Sequence, residues 1–145
     1  MKFSPAIAMR SEHPARVASQ RSMDAVGRKA KGEWLALFAE DAIVEDPVGP
    51  SHFSPDGTGH RGKDAIAAFW DASVATTERL EFAIHDSFAC GSEVANVGVI
   101  TATVGGTTQM DSEGVFIYRV NDAGLIVSLR AFWEMDRAMG TLRQA

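Results

Sequence analysis

The chain has 145 residues, 46% hydrophobic and 23% charged, with a net charge of −5, which predicts one soluble domain large enough for a core and a ligand cavity. The acidic balance and the lack of a Lys/Arg stripe exclude a nucleic-acid role. The longest mostly apolar stretch, about Val94 to Val104, is too short and β-rich to span a membrane, Phe3 to Met9 is too brief for a secretory signal, and the lone Cys90 allows no internal disulfide, so a cytoplasmic protein is expected.

Residues 1–12 lack periodicity and read as a flexible N-terminal tail; 13–140 form a single domain and 141–145 a C-terminal tail. A helix is predicted from about Pro14, with Ala18, Ser22, Val26 and Ala30 in one i, i+4 row. A short second helix fits Gly32 to Ala39, and a strand follows over 41–46. Pro50 to His60 is a polar, turn-rich loop that ends near Gly62. The third helix carries Ile66, Phe69, Trp70, Ser73 and Val74 at i, i+3, i+4, i+7 and i+8. Leu80, Phe82 and Ile84 alternate as a strand, and Val94 to Val104 reads as a central strand covered on both faces. Gly105-Gly106 marks a tight turn into a strand over Thr107 to Val120, and Asn121 to Gly124 marks the next turn. The last strand alternates Val127, Leu129, Ala131, Trp133 and Met135 on one side. Helices followed by a long antiparallel meander predict an α+β domain, with a curved sheet wrapped around a long helix to enclose a cone-shaped pocket.

The stretch Ala42-Ile43-Val44-Glu45-Asp46-Pro47 carries the strongest chemical signal. In an extended chain Ala42, Val44 and Asp46 share a face, so a carboxylate continues an apolar row, where charge is costly without a role or a partner. Pro47 biases Asp46 away from helical angles. Asp46 is thus a candidate proton carrier, although aspartate before proline also opens turns and caps helices, and the residues alone leave both roles open. His13, His52, His60 and His85 show no ligand spacing, so no metal is expected. Neither a nucleophile elbow nor a P-loop pattern is present.

The segment Trp34-Leu-Ala-Leu-Phe-Ala-Glu-Asp-Ala-Ile-Val-Glu-Asp-Pro-Val-Gly49 resembles the ketosteroid isomerases, as does Asn121-Asp-Ala-Gly-Leu-Ile-Val-Ser-Leu-Arg-Ala-Phe-Trp133. The loop Pro55-Asp-Gly-Thr-Gly59 and the strand Gly114-Val-Phe-Ile-Tyr-Arg-Val-Asn121 are similar to those of actinobacterial steroid-isomerase-like proteins of the NTF2-like (SnoaL-like) superfamily. The likeness covers about residues 18–137. It implies a cone-shaped α+β barrel, three helices against a curved, mostly antiparallel sheet, usually dimeric and without a cofactor. It also implies that Asp46 falls on the general base that moves a proton between two carbons of a 3-ketosteroid. The positions of the family's oxyanion tyrosine and aspartic acid fall on Ser22 and Phe116. Phe has no donor and Ser is short, and each such donor contributes on the order of 10²–10³ in rate.

Tyr118, two residues beyond Phe116 and on the same strand face, is a candidate replacement, and Ser22, His52 and His60 are further candidate polar contacts. Val26, Phe38, Phe69, Phe116, Leu129 and Trp133 are the candidate lining of a large, flat apolar cavity. Trp34 and Trp70 read as packing residues, and Asp24 as facing solvent. Arg130 is followed by Ala131, which leaves the Asp/Arg/Asp set of the family's epoxide hydrolases incomplete. Three functions remain: a steroid-isomerase-like enzyme with Asp46 as base, a non-catalytic steroid or polycycle binder, or a polyketide-cyclase-like enzyme. A protein-interaction module using the outer sheet face is a further alternative. The expected partners are a hydrophobic, steroid-like small molecule and a second copy of the chain.

Overall fold

Pro14 opens the first helix, α1 (Pro14–Gly27), where its missing N–H costs nothing and its φ is already helical. His13 caps it: Nδ1 accepts from the amide of Ala15 at 3.1 Å, while Nε2 bonds the carbonyl of Gly91 at 2.8 Å. The structure, a computed structural model, describes residues 2–3 and 12–144. The expected N-terminal tail therefore lies mostly outside the described residues; of it, Lys2–Phe3 forms β1.

The remaining elements are α2 (Lys31–Ala36), β2 (Phe38–Glu45), β3 (His60–Arg61), α3 (Lys63–Ala72), a 3₁₀ turn (Val74–Thr76), β4 (Arg79–Cys90), β5 (Glu93–Val104), β6 (Thr108–Val120), β7 (Ile126–Phe132), α4 (Met135–Met139) and β8 (Arg143–Gln144). The sheet order is β1-β4-β5-β6-β7-β2-β3, with β8 paired to β6 beyond the end of β7. β1 pairs with β4 and β2 with β7 in parallel; the other pairings are antiparallel. β1 and β3 remain as the sheet's edges, so the sheet is curved but unclosed.

The predicted α+β architecture holds, with four helices rather than three. α4 is too short to show helical periodicity, and the alternation of Trp133 and Met135 reads as strand although β7 ends at Phe132. α2 stops at Ala36, so Phe38 and Ala39 open β2 instead of closing the helix. The turn-rich loop ends in a two-residue strand, β3, whose His60 pairs with Val44. Arg143–Gln144, within the expected C-terminal tail, pairs with Gln109 and Thr108.

Two cross-strand glycines explain the bend of the sheet. Gly98 and Gly114 face each other across β5 and β6. A Cβ on Gly98 would lie 2.2 Å from the carbonyl oxygen of Ala83, and one on Gly114 would lie 2.0 Å from that of Phe132. Backbones that close together leave no room for a side chain, so these positions require glycine. A bulge at His85, between Ile84 and Asp86, falls beside Gly98 and sharpens the bend in β4.

α1 lies in the concavity against β4, β5 and β6. Its sheet-facing residues include Ala15, Ala18, Ser19 and Ser22, small enough for close approach. Buried polar bonds fix it there: Arg16 Nε donates to Ser87 Oγ at 2.9 Å, and Asn96 Nδ2 to Ser19 Oγ at 3.0 Å. Such a network is costly to break, because every member left unpaired stays desolvated. β5 is central as predicted, but only its inner face is covered. Val94, Asn96 and Gly98 point inward, while Ala95, Val97 and Val99 are half-exposed on the outer face. Among the described residues no helix is long and apolar enough to cross a membrane.

Candidate functional site

The strand register sorts the inner face into rows. Val44, Leu129, Tyr118 and Val94 form one. Continuing the β2–β7 register by one residue places Asp46 beside Ala131, and the Val48 amide donates to the Ala131 carbonyl at 2.9 Å. Ala131 pairs with Phe116, and Phe116 with Asn96, so Asp46 opens the second row. Trp133 and Gly114 follow, then Ser112, Ile100 and Phe82, and finally Met110, Ala102 and Leu80. Between these rows and the helices lies a cavity of about 220 Å³ with an overwhelmingly apolar wall.

Asp46 is the first residue after β2, and the Asp46–Pro47 bond is cis. The alternation places Ala42 and Val44 fully buried, and Asp46 carries that face into the cavity wall. Its carboxyl end is enclosed by protein atoms, although the residue as a whole is half-buried. Burial raises its pKa above the ordinary aspartate value, and a hydrogen bond from Trp133 Nε1 to Oδ1, 2.6 Å long, partly opposes that rise. The bond occupies one carboxylate oxygen, and Oδ2 accepts no hydrogen bond among the described residues, which leaves it open to receive a proton. Neighbouring Glu45 faces the other way and pairs with Arg130 at 3.3 Å.

Across the cavity stands a second polar group. Tyr118 Oη lies 3.2 Å from Ser22 Oγ, and Trp34 Nε1 donates to the same Ser22 oxygen at 3.0 Å. Indole is a donor only, so the Ser22 oxygen accepts from Trp34 and its proton is available to Tyr118. When the serine proton is given to the phenol oxygen, the phenolic proton of Tyr118 is left for a partner in the cavity. Burial raises the phenol's pKa well above its ordinary value; Ser22 opposes this and the Asp46 carboxylate reinforces it. Tyr118 is therefore a neutral hydrogen-bond donor at any physiological pH.

Of the residues singled out from the sequence, Asp46, Ser22, Tyr118, Val26, Phe69, Phe116, Leu129 and Trp133 all line this one cavity. Phe38 does not: it is buried beneath Trp34, ring centroids 4.7 Å apart, because it starts β2 rather than continuing α2. Neither His52 nor His60 lines the cavity. His52 packs edge-on against Phe53, and His60 lies over Phe69 at 4.7 Å, where burial lowers its pKa and Asp56 opposes that. The rings of Phe53 and Phe69 form the wall in front of them.

Sequence reasoning treated Trp34 as packing, yet it lines the cavity and orients Ser22. No local pattern links two residues twelve apart on different helices. Phe53 was legible as the one large apolar side chain in a polar loop, and Met110 and Ser112 share strand parity with Phe116. Asp24 faces solvent and pairs with Arg28, as expected. Among the described residues no cluster of three or more His, Cys, Asp or Glu side chains could hold a metal ion.

The SnoaL-like domain profile matches residues 19–129. None of the curated proteins matches the chain. Among solved structures, the chain is similar to the Δ5-3-ketosteroid isomerase from Mycobacterium sp., with 39% identity over 92% of this chain and 100% of that one and a TM-score of 0.82. It is also similar to RV0760c from Mycobacterium tuberculosis, with 37% identity over 94% of this chain and 100% of that one and a TM-score of 0.83. RV0760c has also been solved in complex with estradiol-17β-hemisuccinate. A computationally designed 17-OHP binder shares 36% identity over 92% of this chain and 98% of its own, with a TM-score of 0.82. With a profile match over residues 19–129 and the same fold as a 39% identical neighbour, the chain belongs to the SnoaL-like family of NTF2-like fold.

Proposed function

We propose that the protein is a steroid-isomerase-like enzyme that moves a proton on a hydrophobic, carbonyl-bearing ligand. The observation that carries this reading is the pairing, inside one apolar cavity, of a buried carboxylate with a free Oδ2 and a neutral phenol. Asp46 takes a proton from the carbon beside the carbonyl; the C–H bond breaks and its electron pair moves onto the carbonyl oxygen. Tyr118 donates a hydrogen bond to that oxygen as its charge develops. Protonated Asp46 then returns the proton to the far end of the conjugated enolate, so the double bond shifts and no co-reactant is consumed. A raised pKa makes Asp46 a stronger base toward carbon, and burial among apolar groups strengthens both interactions.

Tyr118 stands in for donors that the isomerases place at the positions of Ser22 and Phe116. One donor in place of two fits a slower enzyme, or one tuned to a more acidic substrate. The similarity to a ketosteroid isomerase and to structures solved with or designed for steroids supports a rigid four-ring ligand. A homodimer through the outer sheet face belongs to the same proposal, supported by Phe88 and Phe132, which are 60% and 41% exposed.

The second reading, a steroid-binding protein without turnover, is favoured by Phe116, which places an inert ring opposite Ala131 next to Asp46. An interaction module with a filled cone does not fit an apolar cavity of this size. Ultraviolet absorbance of a Δ5-3-ketosteroid, followed beside titration of a phenolic steroid, separates the two. Turnover supports the enzyme, binding alone supports the carrier, and neither result would rule out both.

A further inference from the structure

Resting on the steroid reading above, we propose that Ser112 forms a second polar anchor in the cavity, one that binds a hydrogen-bonding oxygen at the end of the ligand remote from Asp46 and Tyr118. The outer half of the cavity carries four hydroxyl side chains, and three are already committed. Ser73 Oγ donates to the Phe69 carbonyl at 2.6 Å, Thr76 Oγ1 to the Ser73 carbonyl at 2.8 Å, and Thr77 Oγ1 to the Val74 carbonyl at 2.9 Å. Each closes a turn at the end of α3 and has no proton left for a ligand. Ser112 differs: it lines the cavity, is 8% exposed, and its hydroxyl makes no hydrogen bond among the described residues. Its oxygen faces the cavity space instead of being sealed in the protein, so a ligand that fills the cavity must either bring it a partner or leave it unsatisfied.

Its position gives the anchor a meaning. Ser112 lies four residues from Phe116 on the same face of β6, so it stands about 13 Å along the strand from the row that holds Asp46. Between the two rows the wall is apolar, formed by Trp133 beside Gly114, and Ile100 and Phe82 flank Ser112 in its own row. The cavity thus has a reactive polar end, an apolar middle and one uncommitted hydroxyl beyond it. That pattern selects a long, rigid polycycle with an oxygen at each end over a short carbonyl compound or a ligand with one polar end. The serine hydroxyl can donate to a ketone or accept from an alcohol, so both oxidation states of the remote oxygen fit.

The test compares two ligands that differ only at the remote end, 4-androstene-3,17-dione and 4-androsten-3-one, on the full chain and on Ser112→Ala. The variant should bind the dione about five- to tenfold more weakly and the mono-ketone within twofold of the unaltered protein. Its thermal midpoint without ligand should be unchanged or higher, because the substitution removes no hydrogen bond made by the protein. Equal losses on both ligands, no loss on the dione, or a lowered midpoint would overturn the anchor while leaving the steroid reading standing. Failure of the unaltered protein to bind either steroid would overturn both.

Discussion

Trp133 holds Asp46 through a 2.6 Å hydrogen bond from Nε1 to Oδ1, and the two meet because β2 and β7 run parallel as neighbours. The bond fixes the carboxylate's orientation and partly offsets the energetic cost of burying it. Removing the indole N–H in Trp133→Phe should therefore push the Asp46 pKa further up. A base must be ionised to act, so the acid limb of the pH–rate profile should move to higher pH in the variant. The profile with a Δ5-3-ketosteroid checks this; an unmoved limb would separate Trp133 from the base.

Asp46→Asn should lower turnover by about 10²–10⁴ and leave binding of a phenolic steroid intact or tighter. The same substitution should stabilise the unliganded fold at neutral pH. The folded pKa of Asp46 is raised, so the folded state disfavours the ionised form, and that penalty is complete once pH exceeds the folded pKa. As pH falls below the unfolded value of about 3.9, both states are protonated and the difference vanishes. Urea titrations of the two proteins at neutral and at acid pH read this directly.

Tyr118→Phe should reduce turnover by about 10²–10³, the typical loss for one donor to a developing oxyanion. Trp34→Phe acts at one remove. It removes one donor from the Ser22 oxygen, which becomes a better acceptor for Tyr118 and draws the phenolic proton away from the ligand. The turnover number should fall while ligand affinity changes little, and the fold should lose about 0.5–1.5 kcal/mol with the Trp34–Ser22 hydrogen bond. A fall in affinity without a fall in turnover number would contradict the relay.

Gly114→Ala should be far more damaging than its size suggests, at about 3 kcal/mol, because the new methyl would meet the Phe132 carbonyl oxygen and Trp133 Cβ. Any folded fraction should show a displaced Trp133, visible as altered indole fluorescence. A variant with unaltered stability and spectrum would contradict the account of the bend.

The parts of this fold that were legible in the sequence are those in which one local period runs unbroken. α1 and α3 show helical spacing, and Ala42, Val44 and Asp46 show strand alternation that carries a carboxylate to the cavity wall. The period fails at bulges. At His85 the inward face switches from Ile84 to Ser87, and between Ile126 and Ser128 an extra residue leaves Val127 half-exposed and Ile126 buried. Short elements were hidden for another reason. β3 and β8 exist only because β2 and β6 offer partners, which no sequence window can show. The Trp34–Ser22–Tyr118 chain joins two helices and a strand, so its members looked unrelated until packing brought them together.

The most direct test of the central claim is proton exchange at carbon. A conjugated 3-ketosteroid incubated with the protein in deuterium oxide, followed by mass spectrometry, reports proton removal even where no net isomerisation is seen. The account predicts deuterium uptake at the carbons flanking the carbonyl system with the unaltered chain, and its loss with Asp46→Asn. A steroid that binds the unaltered protein and gains no deuterium, or equal uptake with the variant, would contradict Asp46 as the proton carrier.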